Sequence, residues 1–171
     1  MKVVKIVTHH DMPEGAAELW AREDVVAIGW GRVGDLRGKG SEEIKELLGK
    51  KYKESEGQAA KSAGTLIRFR DEIEPGDFVI AYKCSNKVAL VGQITGEYQY
   101  EMGNDVAYVG GETEYCNQRK AQWRDRPRNF HRRFLPDDLP EKVALRGTIA
   151  IFECNGKKLE EALRRIPKNA D

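Results

Sequence analysis

The chain has 171 residues, of which 40% are hydrophobic and 33% charged, and its formal net charge is +1. This length favours one domain with a substantial core, and the near-zero charge excludes a uniformly basic surface. The three cysteines form no C-x-x-C pair, so neither a zinc site nor a disulfide framework is indicated. No run approaches the roughly 18 apolar residues of a membrane helix. We therefore expect a reduced, cytoplasmic protein with no metal, cofactor or membrane partner.

The first half of the chain predicts two strands and three helices. A short strand is expected over 3–7, and Asp11 is placed to cap a helix that has Pro13 in its first turn. A second strand begins at Val25, where β-branched residues follow one another. Ser41 is the expected cap of the second helix, and apolar residues at helical spacing predict a third over 56–73.

The second half predicts mainly strands. Strands are expected over 78–82 and 88–95, joined by a hairpin at 85–86, and the latter continues to Tyr100. Residues 102–114 are glycine-rich and read as a surface loop. Further strands are expected over 118–123 and 148–152, and a terminal helix over 157–166. This irregular order predicts one α+β domain over 1–166 with a small, curved or barrel-like mixed sheet, and 167–171 as the start of a linker.

The stretch VVAIGWGRVGDL, residues 25–36, predicts a candidate binding platform. A strand runs into a turn in which Gly29, Gly31 and Gly34 allow positive φ and leave the ring of Trp30 uncovered. An indole held at a strand end suits stacking against a flat ligand such as a base. The glycines also match the dinucleotide fingerprint G-x-G-x-x-G, but no helix opens immediately, so we reject a Rossmann site.

A second candidate surface is the basic segment, residues 119–133. Its seven cations face one acid, Asp125, so the rest of the chain is net acidic. Such a concentration predicts contacts to a phosphate backbone, although pairing with nearby acids is the structural alternative. The predicted backbone contacts are Arg119, Lys120, Arg124, Arg126, Arg128, Arg132 and Arg133.

The sequence contains no residue cluster or motif that is typical of a catalytic site. His9, His10 and Asp11 have no partner cluster for a metal, and neither G-x-S-x-G nor H-E-x-x-H occurs. The chain therefore predicts a binding module and no enzyme, and a small nuclease or hydrolase is the less favoured alternative.

Four runs carry a family resemblance: AIGWGRVGDL, LIRFRDEIEPGDFVIAY, VALVGQITGEYQY and QRKAQW, all between residues 25 and 123. In order and spacing they resemble the PUA-like group that includes EVE and YTH domains. The resemblance extends to the N-terminal DNA-binding domains of archaeal McrB-type modification-dependent restriction proteins. It implies a sheet wrapped by helices, with a GTPase portion and a nuclease subunit as further partners.

The resemblance also implies an aromatic cage that receives a flipped, modified base, with N6-methyladenine in double-stranded DNA favoured. Trp30 matches the cage tryptophan at the end of the strand after the first helix. Tyr98, Tyr100, Tyr108 and Tyr115 compete for the second aromatic, of which we favour Tyr98 and Tyr100. Asp11 or the backbone at Gly29 and Gly31 would contact the base. An RNA reader of the same architecture, or a domain whose basic face binds an acidic protein, are the alternatives.

Overall fold

One seven-stranded mixed sheet organises the fold. The computed structural model describes residues 1–8, 12–83, 85–109, 114–125 and 128–167. The strands are β1 (Lys2–Val7), β2 (Val25–Ile28), β3 (Phe78–Lys83), β4 (Lys87–Tyr100), β5 (Asn117–Trp123), β6 (Phe130–His131) and β7 (Ile149–Glu153). Their order is β2-β5-β4-β3-β1-β7, with β6 paired to β4. Only the β1–β3 pairing is parallel among the pairings of the described residues.

Within the described residues, five α-helices cover the sheet: α1 (Pro13–Glu23), α2 (Ser41–Tyr52), α3 (Glu56–Asp71), α4 (Leu139–Ala144) and α5 (Gly156–Arg165). Both ends of the long helix α3 follow from sequence, since Ser55 caps its start by accepting from the Gln58 backbone N–H. Pro75 and Gly76 prevent its continuation. None of the described helices has the length and apolar character that crossing a bilayer requires.

The core lies on both faces of the sheet. Along β1, Val4 and Ile6 pack with residues of α1, α2 and α3, whereas Val3 and Val7 pack with residues of α4 and α5. Successive side chains of a strand point to opposite faces, so β1 is buried on both sides. This explains why its sequence is a nearly continuous apolar run.

The predicted α+β class is confirmed, with corrections in detail. Helix α2 begins at Ser41 with Gly40 in the cap position, and no side chain caps it. Helix α4 and the two-residue strand β6 are not predicted from the sequence. The sheet is an open path with β2 and β7 at its edges, and no pairing of the described residues closes it into a barrel.

The sheet is curled, and the curl creates a cavity. Strands β1 and β2 are separated by β3, β4 and β5 in the sheet. The residues at their C-terminal ends nevertheless line one common pocket. The bend is accommodated in the 14-residue strand β4, where the register with β5 shifts between Ile94 and Tyr98.

Candidate functional site

A cavity of about 200 Å³ lies where the ends of β1 and β2 approach each other. It is lined by Val7, Thr8, Ile28, Gly29, Trp30, Tyr115 and Thr148. Two aromatic residues therefore share this pocket, Trp30 after β2 and Tyr115 before β5. No Asp, Glu, Lys, Arg or His is among the described residues that line it, so its walls suit an uncharged ligand.

The backbone of Trp30 adopts an unusual conformation that places the ring beside this pocket. Trp30 has φ 63° and ψ 32°, in the left-handed region that bulky residues rarely enter. Gly29 and Gly31 are not in positive φ, which corrects the prediction, whereas Gly34 is, at 84°. A strained conformation of this kind persists only when its surroundings fix it, and it is enriched at ligand sites.

The indole of Trp30 is anchored through its N–H. Its Nε1 donates to Glu54 Oε1 at 3.0 Å, and the same oxygen accepts from Ser62 Oγ at 3.1 Å. The ring is partly buried and packs against the main core, so it is not free on all sides as the sequence suggested. Trp30 thus forms one fixed wall of the cavity.

Tyr98 and Tyr100 hold the backbone on either side of Trp30. The Tyr98 hydroxyl donates to Asn117 Oδ1 at 2.8 Å, and Asn117 Nδ2 donates to the Gly29 carbonyl at 3.1 Å. The Tyr100 hydroxyl donates to the Gly31 carbonyl at 2.9 Å. Burial raises the pKa of both phenols, that of Tyr100 to about 12, so both remain protonated donors.

Neither tyrosine lines the cavity, which corrects the predicted cage. Tyr98 is buried, accepts from the Leu36 N–H and meets the Phe69 ring edge-on, with ring centroids 6.4 Å apart. The aromatic that shares the pocket is Tyr115, one of the predicted alternatives. Tyr108 is half exposed and is not among the lining residues. Asp11 lies outside the described residues.

The residues beside Gly31 form a second anchor. The Gly31 N–H donates to the Glu114 carbonyl at 2.8 Å. The Glu114 side chain accepts from Tyr52 Oη at 2.7 Å and lies 2.8 Å from Arg32 Nε. The Arg32 guanidinium stacks 4.2 Å from the centre of the Tyr52 ring. Sequence reasoning missed Glu114 and Glu54, because their partners are distant in the chain.

Thr8 is a further lining residue that the sequence does not reveal. It is 2% exposed, and its Oγ1 has no hydrogen-bond partner among the described residues. A buried hydroxyl without a partner costs free energy and requires an explanation. Its place in the pocket wall makes it a candidate for contact with a ligand.

Arg119 is a structural residue, which corrects the predicted basic surface. It is 1% exposed, and its guanidinium donates to the carbonyls of Phe69, Arg70 and Gly96 at 2.9, 2.6 and 3.3 Å. Burial lowers the pKa of this guanidinium. A side chain enclosed in this way cannot reach a phosphate.

The other predicted cations differ in their availability. Lys120, Arg128 and Arg133 are exposed. Arg124 pairs with Glu160 on α5, and Arg132 donates to Asn86 Oδ1 at 3.1 Å and to the Pro140 carbonyl. Arg126 lies outside the described residues. None of the described cations of the segment lines the Trp30 pocket.

A family model matches residues 10–136, most of the chain, and describes a domain of unknown function, DUF8426. The chain belongs to this family. No curated protein matches it.

Among solved structures, this DUF8426 chain is similar to the YTH domain-containing protein mmi1 in complex with RNA, at 8% identity and a TM-score of 0.36. The overlap covers 75% of this chain, which spans 58% of the length of that one. A similarity at this identity and TM-score assigns no function to the chain.

That geometry suits binding. The described residues contain no group of three or more His, Cys, Asp or Glu placed to hold a metal ion. The glycine-rich turn after β2 leads into a short 3₁₀ turn at Gly31–Val33 and not directly into an α-helix, so a helix N-terminus does not face it. What remains is a small cavity without a charged side chain among the described residues that line it, with one tryptophan anchored in its wall.

Proposed function

We propose that this DUF8426 domain binds nucleic acid by receiving one base, swung out of its stack, in the Trp30 pocket. The favoured ligand is N6-methyladenine in double-stranded DNA. The observation that carries the proposal is the joint presence of Trp30 and Tyr115 in a cavity of about 200 Å³ without a charged lining residue among those described.

The size and polarity of the cavity favour a single base. Pockets for drug-sized ligands measure roughly 300–1,000 Å³, so about 200 Å³ suits one flat ring system and excludes a whole nucleotide. The described lining residues carry no charge, which favours a neutral heterocycle over a phosphate. The sugar and phosphates would remain outside the cavity, and Lys120, Arg128 and Arg133 are the exposed cations of the basic segment that could contact a phosphate backbone.

The energetics are consistent with such a reader. Extruding a base costs a few kcal/mol, and stacking on an aromatic ring returns about 1–3 kcal/mol. One buried methyl group adds about 0.8 kcal/mol, or about fourfold in affinity. Stronger discrimination therefore needs an oriented polar contact, for which the hydroxyls of Thr8 and Thr148 and the backbone at Gly29 are the nearest candidates.

We further propose that the domain is the specificity module of a modification-dependent restriction system of the McrB type. Its role there is recognition, and the GTPase and nuclease would be supplied by other parts of the assembly. The support within this chain is the cavity beside Trp30, whose size suits the recognition of a single base.

The test is a binding comparison by fluorescence anisotropy with two duplexes that differ only in one N6-methyl group. Native protein should bind the methylated duplex more tightly, and Trp30→Ala should weaken that binding by ten- to a hundredfold, equivalent to about 1–3 kcal/mol of stacking. The matched control is Tyr108→Ala, which removes a half-exposed aromatic outside the pocket and should leave affinity unchanged.

Three outcomes would contradict the proposal. Equal affinity for the two duplexes would remove modification reading, and unchanged affinity of Trp30→Ala would remove the pocket. Tighter binding of a methylated single-stranded RNA than of the duplex would replace DNA with RNA as the partner.

A further inference from the structure

A second cavity, of about 370 Å³, adjoins the Trp30 pocket. Val7 and Thr148 line both cavities, so the two share a wall. The loop 145–147, which connects α4 to β7, lines the second cavity. At most about 11 Å of chain separates Leu145 from Thr148. The loop therefore lies next to the proposed base pocket, because Thr148, the residue that follows it, lines that pocket.

The loop is fixed from inside the protein. Lys5 is 0% exposed, and its ammonium donates to the carbonyls of Leu145 at 3.1 Å and of Gly147 at 2.5 Å. Gly147 has φ 110°, a conformation that L side chains rarely adopt. A buried ammonium is tolerated only when it is well paired, so these contacts hold the loop backbone in one position.

This anchored loop presents an apolar side chain to solvent. Leu145 is 56% exposed, the largest exposed fraction of any large hydrophobic among the described residues. Its neighbour Arg146 is exposed as well. Single exposed hydrophobics are common on protein surfaces, but here the loop that carries one is held by a buried charge at the edge of a binding pocket.

We propose that Leu145 enters the duplex and fills the space vacated by the base that moves into the Trp30 pocket. The inference rests on the proposed function and specifies its partner as duplex DNA. Proteins that unstack DNA insert apolar side chains between base steps, because an emptied position in the stack would otherwise expose its neighbours to water. Arg146 is then adjacent to the phosphates of the opened step, where a cation is favourable.

The experiment measures the affinity of Leu145→Ala for three DNAs with the same modified base. These are the duplex, the same sequence with the modified base unpaired in a one-nucleotide bulge, and the single strand. A base that is already unpaired needs less help to leave the stack. We expect binding to the duplex to weaken about tenfold, to the bulge less, and to the single strand not at all. Leu145→Phe, which keeps an apolar side chain, should retain duplex binding.

The outcomes separate this inference from the proposed function. If Trp30→Ala abolishes binding but Leu145→Ala binds the duplex normally, only the role of Leu145 is overturned. Equal weakening by Leu145→Ala on all three DNAs would also overturn it, since the leucine would then contact the ligand itself. If Trp30→Ala binds all three DNAs as native protein does, the proposed function is overturned, and the role of Leu145 is overturned with it.

Discussion

Arg119 lies within β5 and Trp30 lies just beyond the end of the neighbouring strand β2, and the fold uses the two side chains in opposite ways. Trp30 is two residues beyond Ile28, the last residue of β2, where a left-handed backbone conformation turns its ring away from the pleat and beside a cavity. Arg119 stands within β5, directly opposite Val26 on β2, and its pleat position directs it under α3. A residue just beyond a strand end is available to a ligand, whereas one inside the strand follows the alternation of the sheet.

The largest expected effect tests whether Arg119 is a buried structural residue. Arg119→Ala should lower the free energy of unfolding by about 3–5 kcal/mol, because it removes a buried charge that satisfies carbonyls of α3 and β4. Its neighbour Lys120 is exposed on the same strand, and Lys120→Ala should change stability by no more than about 0.5 kcal/mol. Urea denaturation measures both. Equal stability of the two variants would mean that Arg119 is not enclosed.

The second prediction tests whether the cavity beside Trp30 binds the ligand, and it leaves Trp30 itself unchanged. Gly29 lines the pocket, does not have positive φ, and a Cβ added to it meets no atom within 4 Å. Gly29→Val should therefore fold normally but narrow the cavity and weaken binding of the methylated duplex by about ten- to a hundredfold, the magnitude of a lost stacked base. Gly34→Val is an unsuitable control because φ is 84° there. Gly57→Val is the matched control, since Gly57 is exposed, does not line the pocket, and a Cβ added to it meets no atom within 4 Å.

A change in thermal midpoint of Gly29→Val together with lost binding would indicate a folding defect. Native affinity in a normally folded Gly29→Val would instead show that the ligand does not enter this cavity.

Sequence reasoning predicts those features that depend on neighbouring residues in the chain. The limits of α3, the β3–β4 hairpin and the strand before Trp30 follow from capping residues, turn residues and runs of β-branched side chains. Tyr115, Thr8 and Thr148 could not be assigned to the site, because only the curl of the sheet brings these distant segments together. Helix α4 has six residues, too few for a periodic pattern to emerge. Tyr98 and Tyr100 are predicted as cage residues, whereas their hydroxyls bond backbone groups of Leu36 and Gly31, which no local sequence pattern reveals.

A smaller effect is expected from Thr8→Val, which should raise stability but lower affinity for DNA. Thr8→Val keeps the shape of the side chain and removes a buried hydroxyl that has no partner in the described part of the chain. The free energy of unfolding should rise by about 1–2 kcal/mol, since an unsatisfied buried polar group disappears. If the hydroxyl contacts the base, affinity for the methylated duplex falls in the same variant, and Thr8→Ser retains it. Lower stability of Thr8→Val would show that the hydroxyl already has a partner.

The smallest effect concerns the support of Trp30 by Tyr100 and depends on pH. Burial raises the pKa of Tyr100 from 10.0 to about 12, so above pH 10 the unfolded chain loses this proton before the folded chain does. The stabilisation from the protonated phenol, which donates to the Gly31 carbonyl, is fully present below pH 10 and is lost as pH rises towards 12.

Tyr100→Phe should therefore be less stable than native protein by about 1 kcal/mol at pH 8, and this difference in the free energy of unfolding should shrink by pH 11.5. Denaturant titrations at both pH values measure it, with the shared alkaline loss from Tyr52 and Tyr98 cancelling between the two proteins. Equal stability of the two proteins at pH 8 would mean that the Tyr100 hydroxyl contributes nothing to holding Gly31, and the position of Trp30 would then depend on Glu54 and on the chain from Tyr98 through Asn117 to Gly29.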